Sequence, residues 1–296
     1  MTSRARDAHT RVVAALHQSR NGDGGWPYYR GKQSRLEPTA WALLGTTLPV
    51  EATPLPAWAA PGGLLVEPST RQVNYAFNAL AALSASAERE RAHELTRRIV
   101  RALVDARGVV IDSSPVIRQD TTLQGWSWTA GTFTWVEPTA WCMIALKQWA
   151  ADFGGARLRL DVAERVMRDR ACAGGGWNFG NGIVYGQALP AHVPPTAVGV
   201  LALQDQANDP LVTAALAHLE QHALLEGSTM ALALSVIAVL AVGRSVDALV
   251  PALIERCVSA QLTSNIATLG MAACALDAVV RGGRPRGLAL PRGASA

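Results

Sequence analysis

The chain of 296 residues repeats itself, and no other property restricts its fold as strongly. Gly125-Trp126-Ser127-Trp128 leads into Glu137-Pro138-Thr139-Ala140-Trp141, and Gly25-Trp26 leads into Glu37-Pro38-Thr39-Ala40-Trp41. In both copies 11 residues separate the leading Trp from the Glu, Trp26 from Glu37 and Trp126 from Glu137. A looser copy runs from Gly176-Trp177 to Pro194-Pro195-Thr196-Ala197-Val198, with Pro194 in the Glu place after a connection six residues longer. A weaker fourth, from Gly63 to Asn78, keeps the spacing and loses the Trp and the Glu. Self-similar units of this size imply a repeat architecture in which neighbouring copies bury one another.

Each copy reads as a Gly/Trp turn feeding the start of a helix. Proline suits the first helical turn because its missing N–H has no partner there, and Glu beside it favours the positive helix end. The residues that follow, Trp41-Ala42-Leu43-Leu44 and Trp141-Cys142-Met143-Ile144, are apolar around the whole circumference. Such helices are buried.

The rest of the chain alternates buried and half-exposed helices. A first helix is expected over Ala8–Ser19, followed by the Glu37 helix to about Gly45 and a Pro-rich connection from Pro49 to Pro61. Apolar helices are expected at Gln72–Ala85, from Glu137, at Pro195–Leu203, Thr229–Val242 and Ile266–Val280. Amphipathic ones are expected at Glu88–Ala106, Leu160–Ala171, Leu211–Leu225 and Val246–Ala260; the first carries Glu90, Arg91, Glu94, Arg97, Arg98 and Arg101 on its polar face. No stretch sustains period-two alternation, so a sheet is not expected. The expectation is an all-α fold of about eleven or twelve helices, an α/α toroid with apolar helices lining a ring and amphipathic helices outside it. Residues 1–280 form this single domain, and 281–296, rich in Arg, Gly and Pro, are expected to be a flexible C-terminal tail.

Composition removes several function classes. With 49% hydrophobic and 17% charged residues the chain can bury a large core. Its longest apolar run, Met230–Val242, is shorter than the roughly 20 residues a membrane span needs. The first ten residues carry no apolar signal core, so the expected location is cytoplasmic, with at most peripheral membrane contact. The net charge of +4 is spread over helix faces without a basic stripe, which argues against nucleic acid as a partner. Cys142, Cys172, Cys257 and Cys274 lie far apart, without the spacing of a zinc site or a disulfide framework. No metal and no cofactor is expected.

Two motifs carry a family likeness. Gln18-Ser19-Arg20-Asn21-Gly22-Asp23-Gly24-Gly25-Trp26 resembles the "Q…DGGW" element of the prenyltransferase and squalene-cyclase repeat. Gly175-Gly176-Trp177-Asn178-Phe179-Gly180-Asn181, with Pro195 to Gln204, resembles a copy from short bacterial members of that superfamily. The likeness covers roughly residues 10–206 and implies the toroid of terpenoid cyclases, with an apolar central cavity for an isoprenoid-like small molecule. Squalene-hopene-type cyclases protonate substrate with the central acid of a D-x-D-D-T-A motif. Matching its T-A to Thr139-Ala140 puts Glu137 on that acid, Pro138 on the last Asp and Trp135 on the first; the same register puts Glu37 there in the first copy. The flanking acids are missing. Protein prenyltransferases of similar fold bind zinc through a D-x-C motif, which this chain lacks.

The candidate catalytic residues are therefore Glu137, Glu37 and, by its likeness to an acidic cyclase motif in Gln119-Asp120-Thr121-Thr122, Asp120. For the two Glu the competing role is stabilisation of a helix N-terminus, and for Asp120 a loop-capping role. Trp41, Trp141, Trp135, Trp128, Trp126 and Trp177 are candidates to line the cavity, since π faces steady apolar or cationic ligands; packing between repeats is the competing role. Tyr185 and Asn178 in the long third loop are expected to cover the mouth, and His192 to stand at its rim. His218 and His222, one turn apart, have the spacing of two metal ligands but no evident third. The expected function is binding of an apolar isoprenoid-like molecule with acid-initiated cyclisation or related chemistry. The alternative is a non-catalytic scaffold or subunit that acts through a protein partner.

Overall fold

The computed structural model describes residues 2–46, 48–86, 93–113, 116, 118–259 and 262–291. Among them are eleven α-helices: α1 (Thr2–Gln18), α2 (Leu36–Gly45), α3 (Tyr75–Ser86), α4 (His93–Asp105), α5 (Val136–Trp149), α6 (Ala156–Asp169), α7 (Val193–Ala202), α8 (Pro210–Glu226), α9 (Thr229–Ala241), α10 (Val250–Val258) and α11 (Ile266–Arg281). Glu90 and Arg91, expected on the polar face of α4, lie outside the described residues. The only sheet among the described residues is a hairpin pairing Ile183–Val184 with Gln187–Ala188. Its turn residues Tyr185 and Gly186 both have positive φ, as a two-residue turn of this hand requires.

The apolar helices form a closed inner ring. α2 packs on α3, α3 on α5, α5 on α7, α7 on α9, α9 on α11, and α11 returns to α2. The amphipathic helices cover this ring, α4 over α3 and α5, α6 over α5, α8 over α7 and α9, α10 over α9, and α1 over α11. This two-layer arrangement is the expected α/α toroid. It follows from hydrophobic pattern: in α2 every residue but Glu37 is buried, whereas α4 turns Ile99, Val100 and Leu103 inward.

The seam between the first and last inner helices is tight because both carry glycine. A Cβ at Gly270 would lie 2.6 Å from the Trp41 carbonyl carbon, and one at Gly45 would lie 2.7 Å from the Ala273 Cβ. Only hydrogen at these positions lets the two backbones approach.

The repeated residues form one joint used three times. Trp26 N–H donates to Thr39 Oγ1, Trp126 N–H to Thr139 Oγ1 and Trp177 N–H to Thr196 Oγ1, each at 3.0 Å. The indole N–H of each Trp donates to a carbonyl near the end of the preceding outer helix: Leu16 O at 2.8 Å, Leu103 O at 2.9 Å and Met167 O at 2.7 Å. Thus one Trp ties an outer helix, a loop and an inner helix together. In the fourth copy Leu65 takes the Trp place, and Asn78 satisfies both its backbone groups, accepting from Leu65 N at 2.6 Å and donating to Leu65 O at 2.9 Å.

The segment after Arg281 is docked on the body over its described part. Arg284 donates to Ala241 O and Gln204 Oε1, Leu288 is fully buried, and Leu290 N donates to Gln204 Oε1 at 2.9 Å. The expectation of a flexible tail from residue 281 does not describe this stretch; residues 292–296 lie outside the described ones.

Candidate functional site at the mouth of the inner ring

The loops before α2 and α5 also cap a neighbouring inner helix, which gathers these helix starts at one end. Tyr75 N, opening α3, donates to Trp128 O at 3.0 Å; Ile266 N, opening α11, donates to Tyr28 O at 2.9 Å. Glu37 and Glu137 stand in the first turns of α2 and α5 at this end. Neither is fully buried, yet protein surrounds each carboxyl.

Desolvation raises both acids. It pushes Glu37 up to about 7, with the charges of Glu137 and Glu67 acting the same way, while a hydrogen bond from Tyr28 and the charge of Arg35 oppose it. Burial likewise raises Glu137, against a hydrogen bond that Trp141 Nε1 donates to its Oε1 at 3.4 Å.

Two residues at this site were not singled out from sequence. The Tyr28 hydroxyl donates to Glu37 Oε2, and burial and the Glu37 charge raise the phenol, so it stays a donor. Glu67, itself buried, pairs with Arg35 and accepts from Leu36 N at 3.3 Å, so it caps α2 from a distant loop. Tyr28 occupies the place of Trp128 in the repeat, a signal available from copy comparison. Glu67 had none.

Beneath the acids the floor is aromatic. Trp41 and Trp141, each one turn below its Glu, meet edge to face with ring centroids 5.5 Å apart. Trp141 donates to Glu137, whereas the Trp41 indole N–H is buried without a partner. Around the rim, Trp128 meets Phe77 at 6.1 Å, Trp135 stacks on Phe133 at 5.0 Å, and Phe179 lies 5.6 Å from His192. Tyr185, 75% exposed, stands at the hairpin tip, and Asn178 is buried, donating to Asn181 O at 2.7 Å.

Three of the candidates are placed elsewhere. Trp126 and Trp177 are fully buried in the joints between layers. Asp120 is exposed on the outer wall. Its Oδ1 accepts from Thr122 N at 2.9 Å, and its own N–H donates to the Asp169 carboxylate. This is the loop-capping role. His218 and His222 stack at 4.2 Å on outer helix α8, and among the described residues no group of three or more His, Cys, Asp or Glu is gathered as a metal would need. All four cysteines are free and buried. No described helix is long and apolar enough to cross a membrane.

No family model matches the sequence, and no curated protein does either. Among solved structures, a protein from Actinoplanes overlays with a TM-score of 0.57 at 18% identity, over 92% of this chain and 98% of that one, and so shares the fold. Two variants of the type II terpene cyclase MstE from Scytonema overlay at TM-scores of 0.49 and 0.48, each 19% identical over 97% of this chain and 80% of theirs. The first is an apo structure, the second a complex with the substrate geranylgeranyl dihydroxybenzoate.

Proposed function

We propose that the toroid takes an apolar, isoprenoid-like small molecule into the recess at its inner mouth and performs an acid-assisted step on it. The observation that carries this reading is the pair of desolvated carboxyls, Glu37 and Glu137, above the Trp41–Trp141 floor. Aromatic walls bury hydrocarbon and steady positive charge by their π faces. An acid near 7 keeps much of its proton at neutral pH, as a general acid needs.

That strength also selects the chemistry. Glu37 is too weak to protonate an isolated alkene, but it suits an oxygen already part of a strained or allylic C–O bond. In the step that fits, the Glu37 proton moves to oxygen, the C–O bond breaks with its electron pair going to oxygen, and the carbon left cationic is attacked by a neighbouring alkene. The resulting cation loses a proton to the Glu37 carboxylate, which restores the acid. Tyr28 holds the Glu37 carboxyl in place throughout.

Incubating the purified protein with isoprenoid diphosphates, squalene and squalene epoxide, then extracting it for mass spectrometry, tests the proposal. Bound or converted isoprenoid, with conversion lost in Glu37→Gln, is expected. Recovery of neither from any of them refutes it.

A second reading is favoured by the Trp41–Trp141 contact, which spans part of the ring interior with side chains. In it the toroid is a non-catalytic scaffold bound to a protein partner. Stoichiometric co-purification with one protein from the native host, together with a Glu137→Gln strain that keeps the wild-type phenotype, is the result this reading requires.

A further inference from the structure

A hollow lies on the outer wall, lined by none of the mouth residues Glu37, Glu137, Trp41 and Trp141. It is a cleft of about 420 Å³ between the end of α4, the loop around Gln124 and the start of α6. Its lining includes Arg107, Arg159 and Arg165.

Arg159 is the unusual member. Only 4% exposed, its guanidinium lies 4.1 Å from the Trp126 ring centroid. It donates to the Gln124, Ala106 and Gly125 carbonyls at 2.6, 3.0 and 3.3 Å. Its Nε is buried with no partner, and among the described residues no carboxylate pairs with it. Burial, with Arg107 nearby, lowers it to about 10. A buried cation without a counter-charge is costly, and carbonyl dipoles offset that cost only in part.

The surroundings add to the same sign. Among the described residues Arg107 donates to the Val104 and Ala106 carbonyls, and Arg165 makes no hydrogen bond or ion pair, its charge acting on Asp120. The first turn of α6, a helix of 14 residues, opens at the cleft behind Gly154 and Gly155, and no side chain caps it. Ala156 N donates to Phe153 O at 3.2 Å, while the rest of the first turn adds a partial positive charge and N–H donors without a side-chain cap. Against these stand two carboxylates, Asp105 and Asp120, and Asp120 already serves Thr122. Three guanidinium groups and a helix start thus exceed two carboxylates.

We propose that this outer cleft binds a compact oxyanion, of the kind a phosphate group on a small metabolite presents, between Arg107, Arg165 and the α6 start, with Arg159 supplying fixed charge from behind. Planar guanidinium forks match tetrahedral oxyanions geometrically. The site is separate from the mouth and does not depend on the reading of Glu37 and Glu137.

Calorimetric titration of the full chain with inorganic phosphate at low ionic strength tests it. Saturable one-to-one binding is expected, weakened roughly tenfold or more by Arg165→Gln and by Arg107→Gln, as loss of a charge-assisted hydrogen bond implies. Both side chains are exposed, so these variants keep the fold, which circular dichroism verifies. Arg244→Gln removes one positive charge from an exposed position outside the cleft and is expected to leave binding unchanged. Absence of saturable binding to the unmodified chain overturns the proposal, as does an equal loss in all three variants, which would mark binding as a response to net charge alone.

Discussion

Trp41 and Trp141 come from inner helices that are not ring neighbours, yet their indoles meet at 79° with centroids 5.5 Å apart. The pair bridges the interior in front of α3. Truncating either ring leaves a void that helices tied by repeated joints cannot close. Trp41→Ala is expected to cost about 3–5 kcal/mol in urea denaturation, and Trp41→Phe much less because most of the ring contact survives.

The Glu37 proton links stability to pH. Its pKa in the folded chain is raised to about 7 from the ordinary 4.5, so the native state binds more protons than the unfolded one between those values. The stabilisation is fully present below about 4.5 and is lost as pH rises through about 7. Glu37→Gln, neutral at every pH, is expected to flatten the fall in melting temperature over that interval. At pH 8 it should gain up to about 3 kcal/mol, an upper limit set by the size of the shift. An unchanged slope in the variant contradicts the assignment.

Thr139 accepts from Trp126 N and donates to Trp126 O, at 3.0 and 3.3 Å, and Thr39 and Thr196 do the same for their own tryptophans. Valine has the shape and lacks the oxygen, so Thr139→Val leaves a buried N–H unmet. A loss of about 1–3 kcal/mol is expected in denaturant titration, against a smaller one for Thr139→Ser.

Gly199 faces the Trp177 ring so closely that a Cβ would lie 2.4 Å from Cε3. The ring cannot retreat, since its N–H is held by Met167 O at 2.7 Å. Gly199→Ala, which by helix propensity alone would stabilise α7, is expected to destabilise the protein by about 1–3 kcal/mol through overpacking. Thermal denaturation decides the sign.

Much of this fold was legible because the joint is made of residues close in sequence. The Trp-to-Thr spacing survives even where Leu65 and Asn78 replace both members, since the loop geometry needs only a backbone pair and a side chain able to satisfy it. Glu37 and Glu137 were legible for the same reason, two positions before each Thr. What sequence left open was the direction of the rings. Trp126 and Trp177 resemble Trp41 and Trp141 in composition, but one pair sits in the joint and the other on the helix, and only the second faces inward. Glu67 reaches α2 across 31 residues with no pattern to mark it. The docked Leu288 was hidden among Arg, Gly and Pro residues that read as tail.

The seam where Gly270 lies against Trp41, closed further by the Ile266–Tyr28 bond, joins segments more than 200 positions apart. During synthesis the first inner helices leave the ribosome long before their last neighbour exists. Their greasy flanks stay uncovered until α11 emerges. A pairing this distant is slow to form, and the waiting chain is prone to aggregate. Yield in a heterologous host is therefore expected to rise with chaperone supply.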